Sequence, residues 1–388
     1  MNLLSVNNLR FRFLMAFNKT AVPQIKVELA SEAIAEKYYP SLNGLRGISI
    51  ILVVLSHLHL SDNNVYQACF NGELGVNIFF VLSGFLITSL CLKEQKLTGD
   101  LSLKDFYIRR ILRIFPVAYL YIVVLFILDI IFRLQIPIFQ YLGAAFYVMD
   151  ISYFRRNHFT AELGHYWSLS VEEQFYIIFP FMLKISRRAF VVSILFIVLI
   201  LPLLCSLQEL YKPLNEGLFY VFTHVLIKFQ SIATGCLLSV LAYGKQLDFR
   251  WIRSYKIAGN IVALFLMCYL RYDNFYSIKA VYVNLIIAIL TCYIIISNII
   301  PSSDLIFKIL NSGLLSFIGI LSYSIYIWQQ LFTFSGKKLP WYINTFPYNL
   351  IFIAGVPCLS YFFYEKYFLK LKSKFSKLKT ADGSKLQE

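Results

Sequence analysis

The 388-residue chain is 59% hydrophobic and 17% aromatic but only 15% charged, well below the roughly one-quarter charged residues of soluble domains, so a soluble fold is excluded. Its formal charge of +15 comes from Lys and Arg that punctuate apolar runs, which is how membrane topology is encoded, and no basic module gathers for nucleic acid. Seven scattered cysteines without CxxC or Cys/His spacing support neither a disulfide framework nor a zinc site, and no metal is expected.

Residues 1–38 carry Arg10, Arg12, Lys19, Lys26 and Lys37, with one apolar patch at 11–17 that is too brief for a cleaved signal. This reads as a cytoplasmic tail. The first span follows in YPSLNGLRGISIILVVLSHLHL, from about Gly44 to Leu60. Arg46 and His57 lie eleven positions apart, roughly 1100° of helix, and so share one face about 16 Å apart along the axis.

The second span is NGELGVNIFFVLSGFLITSLCL, 71–92, and a basic loop through Arg109, Arg110 and Arg113 leads to a third, about 117–134, with Pro116 at its start or at a kink. A longer loop, 135–164, holds Arg155, Arg156 and His158. The fourth span covers Trp167 to Ile185, and further spans are expected at about 190–207, 218–243, 251–270, 279–299, 313–334 and 342–364. The fold class is therefore all-α: a polytopic membrane bundle of about ten spans over residues 39–370, with a basic cytoplasmic tail at 371–388. An even count puts both termini on one side, and the distribution of Lys and Arg makes that side cytoplasmic.

Ionisable residues at membrane depth are expensive and line cavities or pathways. His57 is either a neutral imidazole bonded to a neighbouring helix or a general base suited to deprotonating an alcohol. Arg46 and the Arg109/Arg110/Arg113 cluster either set topology and bind lipid phosphates or form a phosphate-binding mouth, with residues 109 and 113 on one helix face. Ser170 and Glu173 fit a capping box, which leaves Glu172 without a structural explanation. Ser83–Gly84 reads as a close helix contact. Asp129 is isolated, and His224 with Lys228, at i and i+4, can pair or meet a substrate.

Together the blocks LNGLRGISIILVVLSHLHL, GVNIFFVLSGFLIT, RRILRIFP, HYWSLSVEEQFYIIFP and SYSIYIWQQ, with YEKY, resemble the membrane-bound acyltransferase-3 family of bacterial O-acyltransferases. The resemblance implies ten spans in the bacterial cytoplasmic (inner) membrane and acetyl-coenzyme A as the donor, entering from the cytoplasm. The acceptor it implies is a hydroxyl of a surface carbohydrate such as lipopolysaccharide O-antigen, capsule or exopolysaccharide, or of its lipid-linked precursor. It implies catalytic His57, Glu172 and Glu173, donor binding by Arg46, Arg110 and Arg113, and substrate contacts from Trp167 and Ser168; spacing adds Arg109 to the donor cluster, and Ser83 is a further candidate substrate contact. Two positions depart from its pattern: Gln329 follows Trp328 where the family usually has His, and Tyr367 stands where a Pro usually follows Glu365. Some relatives carry an esterase-like domain, and none is expected in the short tail after Lys370. A membrane transporter or glycan-binding protein using the same cavity is the alternative reading.

Overall fold

The computed structural model describes residues 40–151, 160–210, 217–244, 252, 255–272, 278–299, 301–333 and 339–375. The expected tail 1–38, the loop residues Arg155, Arg156 and His158, and positions 376–388 of the basic tail lie outside the described residues. Among the described residues every regular element is a helix. The first four long ones are α1 (Pro40–Leu58), α2 (Gly72–Thr98), α3 (Leu103–Phe132) and α4 (Tyr166–Ile185). Next, α5 (Arg187–Leu195) runs through a π turn into α6 (Leu201–Leu210), and α7 (Gly217–Leu226) through a 3₁₀ turn into α8 (Gln230–Tyr243). After α9 (Lys256–Tyr272), α10 (Ile278–Ile299) and α11 (Gly313–Thr333), α12 (Asn349–Ser360) passes through a second π turn, Tyr361–Glu365, into α13 (Lys366–Lys372).

Among the described residues, seven segments are long and apolar enough to cross a membrane: Ser41–Leu58, Asn64–Thr98, Leu103–Phe132, Arg187–Gln208, Phe219–Tyr243, Ala280–Ile299 and Gly313–Thr333. The chain is thus a multi-pass, all-helical membrane protein. Three of the ten expected spans fall short of that standard, which asks for about 20 apolar residues. α9 has 17 residues, α4 carries Glu172, Glu173 and Gln174 in a row, and α12 with its continuation into α13 runs into Glu365, Lys366, Lys370 and Lys372.

The stretch expected as a basic loop before the third span is itself helical. Ser102 caps α3 by accepting a hydrogen bond from the Asp105 amide at 3.3 Å, so the helix starts well before Pro116, which lies in its interior. α4 also starts earlier than expected, at Tyr166, and the capping box does not form: the Ser170 hydroxyl donates to the Tyr166 carbonyl at 2.8 Å and accepts from the Met149 amide at 3.1 Å.

Two glycine crossings set the helices around α1. A Cβ on Gly47 would lie 2.5 Å from the Leu315 carbonyl oxygen, and one on Gly319 would lie 1.8 Å from that of Asn43, so α1 and α11 touch backbone to backbone. Below this crossing the Asn311 amide group donates to the Ser41 hydroxyl at 2.9 Å, which makes the two helices parallel. α2 and α8 cross the same way at Gly84 and Gly235, with Ser231 donating to Asn77 at 2.8 Å on one side and Ser89 meeting Ser239 at 2.9 Å on the other. Small residues allow such approaches where lipid removes the hydrophobic drive between helices. The α1–α11 crossing has a positional consequence. Tyr326 and Trp328 sit seven and nine residues beyond Gly319, about 10–14 Å along the axis, at the level of His57, which is ten residues beyond Gly47.

Candidate active site

At one end of the bundle, α1 supplies Arg46, α3 supplies Arg110 and Arg113, and α4 supplies Glu172 and Tyr176, all within electrostatic reach of Arg46. The Arg110 guanidinium lies over the Tyr176 ring, 4.8 Å from its centre, and 5.8 Å from that of Phe106. The Glu172 carboxylate accepts from the hydroxyls of Ser83 and Tyr176, whose oxygens are 2.8 Å apart. Ser83 is therefore an α2 residue turned toward α4, while its neighbour Gly84 makes the close helix contact. The π turn after α12 widens one helical turn and buries Glu365, which accepts from Ser324 at 2.6 Å and Ser360 at 2.9 Å and has Arg113 as a charged neighbour. Such turns are frequent at functional sites.

Arg109 is not part of this group. One residue before Arg110, and so about 100° around α3, its guanidinium forms a 2.9 Å ion pair with Glu94, the side chains being 7% and 2% exposed, and it also donates to the Phe375 carbonyl at 2.9 Å. The donor role expected for Arg109 gives way to a structural one that ties α2, α3 and the segment after α13 together. Removing one member of a buried pair strands the other charge, at a cost of about 3–5 kcal/mol. Glu94→Gln is expected to lower the melting temperature of the detergent-solubilised protein sharply. Glu94→Gln combined with Arg109→Met should recover part of that loss.

At the other end, His57 Nδ1 lies 2.9 Å from the Val53 carbonyl oxygen. A carbonyl only accepts, so Nδ1 carries the proton and Nε2 keeps its lone pair for chemistry. The titratable neighbours of His57 are the imidazoles of His59 and His165. Glu172, implied as catalytic, sits with the arginines and not beside His57. Glu173, half-buried, has Glu172 and Arg110 as charged neighbours.

Between the ends runs one face of α4. Ser168, Glu172 and Tyr176 follow at i, i+4 and i+8, spanning about 12 Å. Ser168 hydrogen-bonds the Tyr326 hydroxyl and donates to the His165 carbonyl at 3.1 Å, while the Trp167 ring meets Phe80 edge-on at 6.2 Å. The arginine and histidine ends are thus joined by polar groups through an otherwise apolar bundle. Sequence reasoning passed over Tyr176, Tyr326 and His165. The first was visible as the i+4 partner of Glu172, and the other two lie inside the quoted blocks.

The remaining polar candidates have local roles. Lys228 donates to the Asp150 carbonyl at 2.6 Å and pairs with its carboxylate at 3.0 Å, and His224 bonds the Tyr220 carbonyl at 3.0 Å, so the two do not pair with each other. Asp129 accepts from the Gln135 amide at 2.8 Å and from the Tyr141 hydroxyl at 3.1 Å, closing the end of α3. Among the described residues no group of three His, Cys, Asp or Glu side chains is placed to hold a metal ion.

Comparison with known proteins bears on this arrangement. A Staphylococcus aureus (strain COL) protein, whose name assigns it provisionally as an O-acetyltransferase, is 34% identical over 319 residues, covering 76% of this chain and 50% of its own. The peptidoglycan O-acetyltransferase OatA of Listeria monocytogenes is 31% identical over 315 residues, with 76% and 49% covered. The O-acetyltransferase OatA of S. aureus (strain NCTC 8325) is 31% identical over 322 residues, with 76% and 50% covered. The chain spans about half the length of these relatives. No solved structure matches it. The family model described as an acyltransferase domain matches residues 39–365, which hold both the arginine and the histidine ends, and the chain belongs to that acyltransferase family.

Proposed function

We propose that the chain is an O-acetyltransferase that takes an acetyl group from acetyl-coenzyme A, held at the arginine end, and delivers it to a carbohydrate hydroxyl at the histidine end. The observation that carries this reading is the convergence of Arg46, Arg110 and Arg113 at one end of α1, with the base His57 on the same helix face about 16 Å away. Guanidinium groups grip phosphate in forked, charge-assisted hydrogen bonds, so the cluster suits the donor's phosphates. The extended pantetheine arm matches the distance to His57.

At His57 the acceptor hydroxyl gives its proton to Nε2 as its oxygen attacks the thioester carbonyl. The C–S bond breaks, and the thiolate leaves with that proton. Transfer through an acyl-His57 intermediate uses the same atoms in two steps. The arginine end would face the cytoplasm, where the donor is made, and the histidine end the outer face of a bacterial cytoplasmic membrane.

The acceptor class we propose is an envelope glycan. The name of the Listeria relative makes peptidoglycan the first to test, ahead of the lipopolysaccharide O-antigen, capsule or exopolysaccharide expected from sequence. The reading is tested by equilibrium binding of labelled acetyl-coenzyme A to the purified protein. Loss of a charge-assisted contact is expected to weaken binding about 10–100-fold in Arg46→Ala and Arg113→Ala. Unchanged affinity in both variants would sink the proposal.

A further inference from the structure

Beside His57 lies a cluster that the donor chemistry does not use. His165, the residue before α4, is 4% exposed, and neither of its ring nitrogens has a hydrogen-bond partner. The rings of Tyr166, Tyr121 and Tyr326 surround it at 4.9, 5.3 and 5.7 Å between centres. Trp328 meets Tyr121 at 5.5 Å and Tyr147 lies 6.4 Å from Tyr166; the Trp328 indole nitrogen and the Tyr147 hydroxyl are also buried without partners. The other hydroxyls of the cluster are engaged: Tyr121 donates to the Glu162 carbonyl at 2.6 Å and Tyr166 to that of Ala118 at 2.7 Å, while Tyr326 is shared between Ser168 and the His165 carbonyl.

Buried polar atoms are costly to leave unmatched, and a single orphan is commonly local strain. Here four unmatched atoms on three side chains belong to one aromatic cluster, and His165 in it has His57 as a neighbour. Together they offer an imidazole acceptor and donor, an indole donor and a phenol. A purely structural aromatic cluster would be served as well by Phe at positions 147 and 165. Aromatic faces set among unfilled hydrogen-bonding groups suit a pyranose, which offers C–H faces to rings and hydroxyls to polar atoms.

We infer that His165, Trp328 and Tyr147 form the acceptor subsite, in which His165 receives a sugar hydroxyl next to the one acylated at His57. This rests on the acetyl-transfer reading and extends it to the residues that hold the carbohydrate.

The test pairs equilibrium binding of labelled acetyl-coenzyme A by the purified full chain with alkali-labile acetate in the envelope glycans of producing cells, at matched membrane protein level. His165→Phe is expected to bind acetyl-coenzyme A within about 2-fold of wild type while glycan acetate falls at least about 10-fold. His165→Gln, which keeps a donor and an acceptor, should restore part of it. The inference is overturned if His165→Phe keeps more than half the acetate, or if donor binding and acetate fall together. If instead wild type adds no acetate over a deletion strain, the acetyl-transfer reading itself fails.

Discussion

Replacing His57 by alanine is expected to cut acetyl transfer by about 10²–10⁴-fold, the usual contribution of a positioned general base, with the protein reaching the membrane at its normal level. The fold should survive because the imidazole's hydrogen bond is a local one, to the Val53 carbonyl one turn back on the same helix, worth about 1 kcal/mol. Acetyl-coenzyme A affinity should also hold, since the arginines that grip the donor are about 16 Å away. The measurement is ester-linked acetate in envelope glycans by mass spectrometry, set beside donor binding by the same purified variant. A variant that still transfers acetyl at the wild-type rate would remove His57 from the chemistry.

The second large effect belongs to the crossing of α2 and α8. A Cβ at Gly84 would sit 1.9 Å from the Ile232 carbonyl oxygen, and one at Gly235 would sit 2.1 Å from that of Val81. Both obstacles are backbone, so no side-chain rotation relieves the clash and the helices must part. Overpacking of this kind costs about 1–3 kcal/mol even where side chains can yield, and here they cannot. Gly84→Leu and Gly235→Leu are each expected to abolish recovery of monodisperse protein in detergent. Gly355→Ala is the control. A Cβ there meets nothing within 4 Å, and in the interior of α12 it should be neutral or stabilising by about 0.5–1 kcal/mol. Normal yield and melting temperature in Gly84→Leu would show that the crossing is looser than its geometry implies. Because α2 also carries Ser83, any separation would pull that hydroxyl from Glu172 and damage the site.

Features set by one helix were readable before any coordinates. Arg46 and His57 share a face because 3.6 residues per turn fixes their phase within α1. Which arginine of the α3 group joins Arg46 was not readable in this way. Residues 109 and 113 have the better i, i+4 spacing, yet it is Arg110 and Arg113 that converge on Arg46, because Glu94 on another helix claims Arg109. The start of α4 was read to within one residue, but its cap was not. His165 and the apolar rings after it carry no capping signal, and Ser170 offered a false one three residues before a glutamate. The π turn at Glu365 leaves no trace in the apolar stretch YFFYE. His165 was missed because its surroundings come from α3 and α11, far away in sequence.

Nothing interrupts α1 between Arg46 and His57, so the interval from phosphate grip to base cannot stretch or shorten with the occupant. Under the proposed reading the helix acts as a fixed gauge. It admits a donor by the reach from its nucleotide to its carbonyl and leaves whatever hangs beyond that carbonyl to be judged by the room around the imidazole. Tolerance for bulkier acyl chains would then evolve by altering side chains at that far end, without disturbing how the carrier is held.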